Sequence, residues 1–246
     1  MKVKEREKRN LSAGLVLLAA FVLWTIMIQY VDVQPAGPDG TEIGFGTVNV
    51  WFHQITGVHM AIYTLTDWLG LVPVFICLCF GIMGMIQSVK CRSLRNVESD
   101  IILLGVYYVL VIFCYLVFEM VPINYRPILI NGVLEASYPS STTLLVLCVM
   151  PTLKFQVDRR AGNPLFRKVT TVFVIVFSAF MVTGRLIAGV HWLSDIIGAV
   201  LLSFGLYHIY RYAAALADRK RVKPHLEVEQ EWSSTKNCRN CEKADR

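Results

Sequence analysis

The segment Gly184–Ala199 reads GRLIAGVHWLSDIIGA and sets Arg185, His191 and Asp195 within an otherwise apolar run. Across the chain of 246 residues, 55% are hydrophobic and only 17% are charged. This composition is too apolar for a soluble domain of that size and indicates an integral membrane protein. Three ionisable side chains in such surroundings are costly to desolvate, so the segment predicts a functional site.

Apolar segments long enough to cross a bilayer recur along the chain. We predict an all-α bundle with six transmembrane helices at Leu11–Tyr30, Trp68–Val89, Ile101–Val117, Ser140–Leu153, Val169–Leu186 and Trp192–Tyr212. The fourth has the shortest clearly apolar part. The first is longer than a signal-peptide core and is expected to remain as a permanent span. An amphipathic stretch at 47–58 predicts a short helix at the membrane interface.

The basic residues predict the orientation, because short cytoplasmic segments are rich in Lys and Arg. All but two of the 24 Lys and Arg residues fall in segments that would share one side, and residues 31–67 contain none. Both termini are therefore expected in the cytoplasm, with Arg126 and Arg185 near the extracytoplasmic face. The net charge of +6 then reflects topology, with anionic membrane lipids as secondary partners, and nothing suggests nucleic acid.

The chain divides into a basic cytoplasmic N-terminus (1–10), a membrane domain (11–212) and a polar cytoplasmic tail (213–246) that is expected to be partly disordered. The seven cysteines lie in spans or in cytoplasmic segments, so no disulfide framework is predicted. The tail sequence CRNC has the spacing of half a zinc site but lacks a second ligand pair, and His225 is distant. No metal site is expected there.

His191 and Asp195 are four residues apart and would share one face of a helix. The carboxylate could then accept a hydrogen bond from one ring nitrogen and raise the basicity of the other. Arg185 joins them only if the chain turns in between, and Gly189 is the expected position of that turn. The plainer alternative is a structural His–Asp pair with an arginine that extends to the lipid headgroups.

A second polar cluster reads FEMVPINYRPILINGVLEASYPSSTTLL and precedes the fourth span. It brings Arg126 to the same side of the membrane and ends in Ser140, Ser141 and Thr142. Free backbone N–H groups at such a helix start commonly bind anions, although PSST is also compatible with a simple N-cap. Two arginines, a serine-rich helix start and an oriented histidine together predict a phosphate site that contains a nucleophile.

In these motifs the chain resembles the type 2 phosphatidic acid phosphatase family, also called the lipid phosphate phosphatase or haloperoxidase-like superfamily. The family motifs are Lys-x6-Arg-Pro, Pro-Ser-Gly-His and Ser-Arg-x5-His-x3-Asp. They correspond here to EMVPINYRP, PSST and GRLIAGVHWLSD within residues 119–195. Glu119 stands at the lysine position, Thr142 at the histidine position and Gly184 at the serine position. The resemblance implies a helical bundle that hydrolyses phosphate esters through a phosphohistidine, without a metal or another cofactor.

Carried over by position, the resemblance implies that His191 attacks phosphorus and that Asp195 orients it. Arg126 and Arg185 would hold the phosphate oxygens, whose charge must be stabilised. Further donors to the phosphate would come from Ser140, Ser141 and Thr142.

Thr142 cannot protonate a leaving oxygen at neutral pH, and general acid catalysis contributes roughly 10² to 10⁴ in rate. A leaving phosphate needs little protonation, which favours a lipid pyrophosphate of the polyprenyl type, such as undecaprenyl pyrophosphate, or of the diacylglycerol type. Otherwise the acid would be Glu119, His53 or His59. The two histidines are expected to be interfacial side chains, whereas a carboxylate in a phosphate site must be protonated or paired with an arginine.

Two functions stay open at this point. One is a multi-pass enzyme of the cell membrane that hydrolyses a lipid phosphate or pyrophosphate at an extracytoplasmic active site. The other is a phosphatase-like protein with impaired catalysis that binds or translocates lipid phosphates. The retained nucleophile, aspartate and arginines favour the enzyme, and the missing lysine and histidine favour the alternative. A transporter has less support, because no paired broken helices are evident, and the oligomeric state is not indicated.

Overall fold

The computed structural model describes the backbone of residues 2–91 and 98–244 and the side chains of residues 5–90 and 98–219. Within these ranges it forms eight α-helices and a short 3-10 turn at Pro38–Gly40, and its extended segments make isolated bridges only. The helices are α1 (Lys2–Tyr30), α2 (Gly46–Thr56), α3 (Met60–Leu69), α4 (Leu71–Cys91), α5 (Ser99–Met120), α6 (Ser141–Arg160), α7 (Pro164–Ile187) and α8 (Leu193–Ala244).

In the part of the chain that the structure describes, five helical segments are long and apolar enough to cross a membrane, and they correspond to every predicted span except the fourth. They are Glu5–Tyr30, Met60–Lys90, Ser99–Met120, Pro164–Ile187 and Leu193–Arg219. The second of them combines α3 and α4, which meet at Gly70. The outward surfaces of the helices are apolar, as the exposed side chains of Phe75, Val109 and Ile175 illustrate. The predicted all-helical membrane architecture is confirmed by these features.

The predicted fourth span forms α6, but it is not among the five apolar segments. Its last turns are charged, and it is enclosed by α4, α5, α7 and α8. Val146 and Met150 are fully buried, and the polar side chains of Thr152 and Gln156 are bonded to tyrosines of α5 and α8. A helix that faces protein can carry polar residues when these have partners. This explains why α6 is less apolar than the five segments.

Helices α1 and α8 pack side by side, and the main hydrophobic core lies between them, α5 and α6. Phe21, Leu104, Leu144 and Leu202 contribute to it, one from each helix. As a result, the end of α1, the start of α6, the end of α7 and the start of α8 meet at one end of the bundle. We call this the site end.

The opposite end of the bundle carries ion pairs. Arg159 donates to Asp218 at 2.6 and 2.7 Å, and Arg160 donates to Asp100 at 2.8 Å. Arg159 and Arg160, two of the basic residues that the sequence assigns to one side, therefore lie away from the site end.

The predicted amphipathic helix appears as α2, with Trp51 exposed and Asn49 buried against the start of α8.

Towards the C-terminus, helix α8 continues to Ala244. The side chains of Cys238, Cys241 and His225 lie outside the described residues. The expected partial disorder of the tail stays a prediction.

Candidate active site

His191 lies in the short connection between α7 and α8 and is only 3% exposed. Its Nδ1 is 3.2 Å from the carbonyl oxygen of Ser137. Its Nε2 is 3.3 Å from Nη2 of Arg185 and 3.5 Å from Nη1 of Arg126. A carbonyl can only accept a hydrogen bond and a guanidinium can only donate, so Nδ1 carries the proton and Nε2 presents its lone pair. His191 thus has the tautomer that a nucleophile requires.

The pKa of His191 lies well below its ordinary value. Burial disfavours the charged imidazolium first, and the positive charges of Arg126 and then Arg185 add to that effect. The ring is therefore neutral at pH 7, and its Nε2 lone pair is available for attack.

The predicted turn between Arg185 and His191 occurs at Gly189. Its φ of +70° is left-handed, and a Cβ atom there would lie 2.1 Å from the carbonyl oxygen of Gly57. Only glycine meets both conditions without strain or overlap. This turn brings the arginine and the histidine together although no continuous helix joins them.

Asp195 does not make the predicted hydrogen bond along one helix face, because His191 precedes the first turn of α8. The carboxylate Oδ2 is 3.8 Å from Nδ1 of His191. It accepts instead from the backbone N–H of Trp192 at 2.9 Å, while Oδ1 accepts from Nδ2 of Asn124 at 3.2 Å. Asp195 therefore caps the start of α8 and supports the histidine electrostatically, and Ser137 is the direct partner of the ring.

The two arginines are held in different ways. Nε of Arg126 is 2.9 Å from a carboxylate oxygen of Glu135. Arg185 is 1% exposed, lies over the ring of Tyr63 at 5.1 Å and has Nη1 3.6 Å from Asp67. Both guanidinium groups approach the same nitrogen, and their mutual repulsion is relieved when an anion lies between them. This arrangement suits a phosphate group.

Several buried donors near this point have no hydrogen-bond partner among the described residues, including Nη1 of Arg185, Oγ of Ser137 and Nε of Arg126. Two more of these donors are Nε of Arg185 and Oγ of Ser140. Ser140 is fully buried and directly precedes α6, as the phosphate-site prediction requires. Buried polar groups normally have partners, so both donors are consistent with a site that binds an anion.

A cavity of about 260 Å³ opens beside His191, and we call it the polar cavity. Four of the residues predicted for the site line it, namely Glu119, Arg126, Ser141 and His191. Glu135 lines it as well, so the cavity contains two carboxylates in addition to the arginine and the histidine.

A second cavity, of about 450 Å³, adjoins the first and shares Tyr115, Ser141 and Leu144 with it. Most of its lining comes from apolar side chains of α4, α5 and α6, and we call it the apolar cavity. Thr142 lines the apolar cavity and not the polar one. Successive helical residues point about 100° apart, so Thr142 cannot share the direction of Ser141. Thr142 therefore faces the apolar cavity.

His53 and His59 do not line the polar cavity either. The ring of His53 packs 5.5 Å from that of Trp192, and burial lowers its pKa. His59 is exposed, with Nε2 2.9 Å from the carbonyl oxygen of Thr56. Of the three alternative acids that the sequence suggested, only Glu119 lines the polar cavity.

Three further site residues were not predicted, namely Asn124, Glu135 and Ser137. They lie on two antiparallel arms, because the N–H of Arg126 donates to the carbonyl of Glu135 and that of Ser137 to the carbonyl of Asn124. These backbone bonds are 3.0 and 2.9 Å long.

The arms are joined by a two-residue turn. Asn131 and Gly132 have φ values of +53° and +77°, and Ile130 and Val133 exchange both backbone hydrogen bonds. Asn-Gly is a strong signal for a hairpin turn. It would have predicted that Glu135 returns to the neighbourhood of Arg126.

Helix α2 is tied to the start of α8 by two buried bonds. Nδ2 of Asn49 donates to Oγ of Ser194 at 2.9 Å, and the N–H of Ser194 donates to Oδ1 of Asn49 at 3.1 Å. Nε1 of Trp24 donates to the carbonyl of Ser194 at 3.1 Å. Helices α1 and α2 thereby hold the segment that carries Asp195.

The described side chains contain no group of three or more His, Cys, Asp or Glu residues placed to hold a metal ion.

Comparisons with known proteins identify a family model and a similar fold. The model of the PAP2 superfamily matches residues 106–217, which include all three motifs, and confirms the resemblance found in the sequence. The fold is similar to the crystal structure of the first transmembrane PAP2 type phosphatidylglycerolphosphate phosphatase from Bacillus subtilis. That match has a TM-score of 0.52 and 16% identity and covers 80% of this chain and 94% of the other. No curated protein sequence matches the chain.

Proposed function

We propose, from the PAP2 superfamily match over residues 106–217, that this chain is a membrane lipid phosphatase that works through a phosphohistidine at His191. The observation that carries the proposal is the convergence of Arg126 and Arg185 on Nε2 of a histidine whose Nδ1 is bonded to Ser137. A lone pair between two guanidinium groups suits in-line attack on phosphorus, because the arginines would stabilise the charged equatorial oxygens.

The apolar cavity supports a lipid as the substrate. Leu71, Val74 and Ile112 line it, and they are 55%, 40% and 52% exposed on the outer surface of the bundle. Such side chains would face hydrocarbon in a bilayer. A substrate with its phosphate in the polar cavity would therefore place its chain in the apolar cavity, past the shared Ser141.

The substrate class we propose is a lipid phosphate or pyrophosphate of the polyprenyl or diacylglycerol type. The resemblance gives no histidine at position 142, and a pyrophosphate reduces the need for an acid because a phosphate leaves as a stable anion.

We further propose that α6 is the sixth crossing and that the site end faces the extracytoplasmic side. The basis is the distribution of Lys and Arg, which places both termini in the cytoplasm. The active site would then meet lipids of the outer leaflet.

A catalytically impaired protein that binds or translocates lipid phosphates is the second candidate. The observation that favours it is the position of Thr142, which faces the apolar cavity and offers no proton to the polar one.

Phosphate release from undecaprenyl pyrophosphate and from phosphatidic acid, with EDTA present, tests the proposal. The purified protein should turn over at least one of them, and His191→Ala should abolish release. His208→Ala, which lies on α8 far from the cavities, is the matched control. An acid-labile phosphoenzyme should form in the control and not in His191→Ala. Binding of both lipids without turnover would instead support the second candidate.

A further inference from the structure

A carboxylate occupies the place where the proposed function requires an anion to bind. Glu135 lines the polar cavity, and one of its oxygens lies 2.9 Å from Nε of Arg126. The same guanidinium reaches to 3.5 Å from Nε2 of His191 through Nη1. Glu135 therefore pairs with the arginine that would hold the phosphate. The negative charge of Glu135 would repel the phosphate unless the carboxylate is neutralised.

We propose that Glu135 is the general acid and base of this site, and the inference rests on the proposed function. Its carboxylate is the counter-ion of Arg126. When a phosphate takes over the guanidinium, Glu135 loses its partner beside a new anion and takes up a proton. It then supplies that proton to the leaving oxygen.

The hairpin fixes the main chain of Glu135 and leaves its carboxyl group free to move. The backbone bond from Arg126 holds the main chain of Glu135 across from the arginine. Its side chain is 38% exposed, so the carboxyl group can leave the guanidinium and can exchange a proton with water. A general acid needs both this mobility and this access.

The other groups around the cavity also favour proton uptake on binding. Besides Arg126 and Glu135, the ionisable side chains that line it are those of Tyr115, Glu119, Tyr138 and His191. Arg185 is not part of this lining, but its Nη2 lies 3.3 Å from Nε2 of His191. A phosphate that enters this cavity meets two carboxylates, and repulsion among like charges is relieved when one of them is protonated.

The first half-reaction then balances as follows. The Nε2 lone pair of His191 forms a bond to phosphorus, and the bond from phosphorus to the lipid oxygen breaks. Its electron pair stays on that oxygen, which takes the proton from Glu135 and leaves as an alcohol. In the second half-reaction, water attacks phosphorus and gives a proton to the Glu135 carboxylate. The P–N bond returns its electrons to Nε2, and phosphate is released.

Glu119 also lines the polar cavity, but its connections differ. It lies in the last turn of α5 and is exposed, and among the described residues the carboxylate that pairs with Arg126 is that of Glu135. Only Glu135 changes its partner when phosphate binds to the arginine.

The inference accounts for the phosphate monoesters within the proposed substrate class. A proton supplied to the leaving oxygen lets the lipid depart as an alcohol and not as an alkoxide, so phosphate monoesters are substrates along with pyrophosphates. The missing histidine at position 142 would then not restrict the enzyme to good leaving groups.

The test compares two phosphate monoesters with the same long alkyl chain. One is the alkyl phosphate, and the other is the alkyl-substituted nitrophenyl phosphate, whose leaving group needs no proton. In rapid mixing, Glu135→Gln should slow the first release of the alcohol by about 10²- to 10⁴-fold and that of the nitrophenol by less than about tenfold. Phosphohistidine should then accumulate with the nitrophenyl substrate, because water attack lacks its base.

Matched variants make the outcome specific. Glu42→Gln changes an exposed carboxylate outside the cavity and should not alter either rate. Glu135→Asp should restore part of the alcohol release. An equal loss on both substrates would mean that Glu135 only positions Arg126, and a leaving-group-dependent loss in Glu119→Gln would assign the acid there. Either result, or unchanged rates, overturns the inference.

The two failures are separable. If the unmodified protein forms no phosphoenzyme with the nitrophenyl substrate, the proposed function fails. If the unmodified protein forms the phosphoenzyme but Glu135→Gln slows both releases equally or neither, only the proposed role of Glu135 fails. The same holds if the leaving-group-dependent loss is found in Glu119→Gln.

Discussion

At the scale of single residues, the charge state of His191 decides whether the site works. The hydrogen bond from Nδ1 to Ser137 leaves Nε2 with a free lone pair. The pKa of His191 is lowered mainly by burial and then by the positive charges of Arg126 and Arg185. The histidine is thus neutral in a positively charged setting, as the proposed attack on phosphorus requires.

The lowered pKa of His191 has a consequence for stability. The unfolded chain takes up a proton at His191 below pH about 6.5, whereas the folded chain does so only at lower pH. The contribution to folding stability is therefore complete above that pH and is lost as the pH falls below it. Thermal unfolding in detergent between pH 7.5 and 5.5 should show a smaller decrease for His191→Gln than for the unmodified protein. Equal decreases in thermal stability for the two proteins would contradict the lowered pKa of His191.

Gly189 gives a second prediction at this scale. Gly189→Ala introduces left-handed strain of about 1–2 kcal/mol and an overlap with the carbonyl of Gly57 that adds about 1–3 kcal/mol. Gly132→Ala is the matched control, because its φ is +77° and nothing lies within 4 Å of the added Cβ. The melting temperature in detergent should fall clearly more for Gly189→Ala. Equal losses would show that the chain relaxes around the added methyl group.

At the scale of elements, the start of α8 depends on α2. Asn49→Ala leaves the N–H of Ser194 and the carbonyl of Gly44 without their partner and should destabilise the fold by about 1–3 kcal/mol. Turnover should fall too, because the segment that carries Asp195 loosens. Gln54→Ala, an exposed change on the same helix, is the control. A loss in stability with full activity would show that α2 does not position the site.

The elements also show what the sequence can and cannot predict. Apolar patterning located the helices except α3, since the second span was predicted to begin only at Trp68. Gly189 marked the turn because glycine alone tolerates its backbone. The partner of His191 was assigned wrongly to Asp195, since a backbone carbonyl such as that of Ser137 has no residue-type signature. Thr142 was assigned to the phosphate by motif alignment. An alignment does not show in which direction the side chain of Thr142 points at the start of α6. Glu135 was missed although the Asn-Gly turn gave a signal.

At the scale of the whole molecule, the number of crossings separates two arrangements. If α6 crosses the membrane, the hairpin tip at Gly132 and the α6–α7 connection at Gly162 lie on opposite sides. An epitope inserted after Gly132 should then be accessible to antibody in intact cells, and one inserted after Gly162 only after permeabilisation. Accessibility of both without permeabilisation would show that α6 does not cross. Accessibility of neither would put the site on the cytoplasmic side.

The hydropathy of the sequence is sufficient to locate the five apolar segments. It does not locate α6, because α6 is surrounded by protein and hydropathy measures the preference of a segment for lipid. The pattern of basic residues covers the whole chain and is independent of any single helix. It therefore predicts the orientation even where the hydropathy of one span is weak.

The two adjoining cavities have a kinetic consequence. A substrate whose phosphate lies in one and whose chain lies in the other never has to leave the lipid phase, so its effective concentration is a surface density. Turnover in mixed micelles should accordingly follow the mole fraction of substrate lipid. Adding inert detergent at a constant bulk concentration of substrate should slow the enzyme by surface dilution, and restoring the mole fraction should restore the rate.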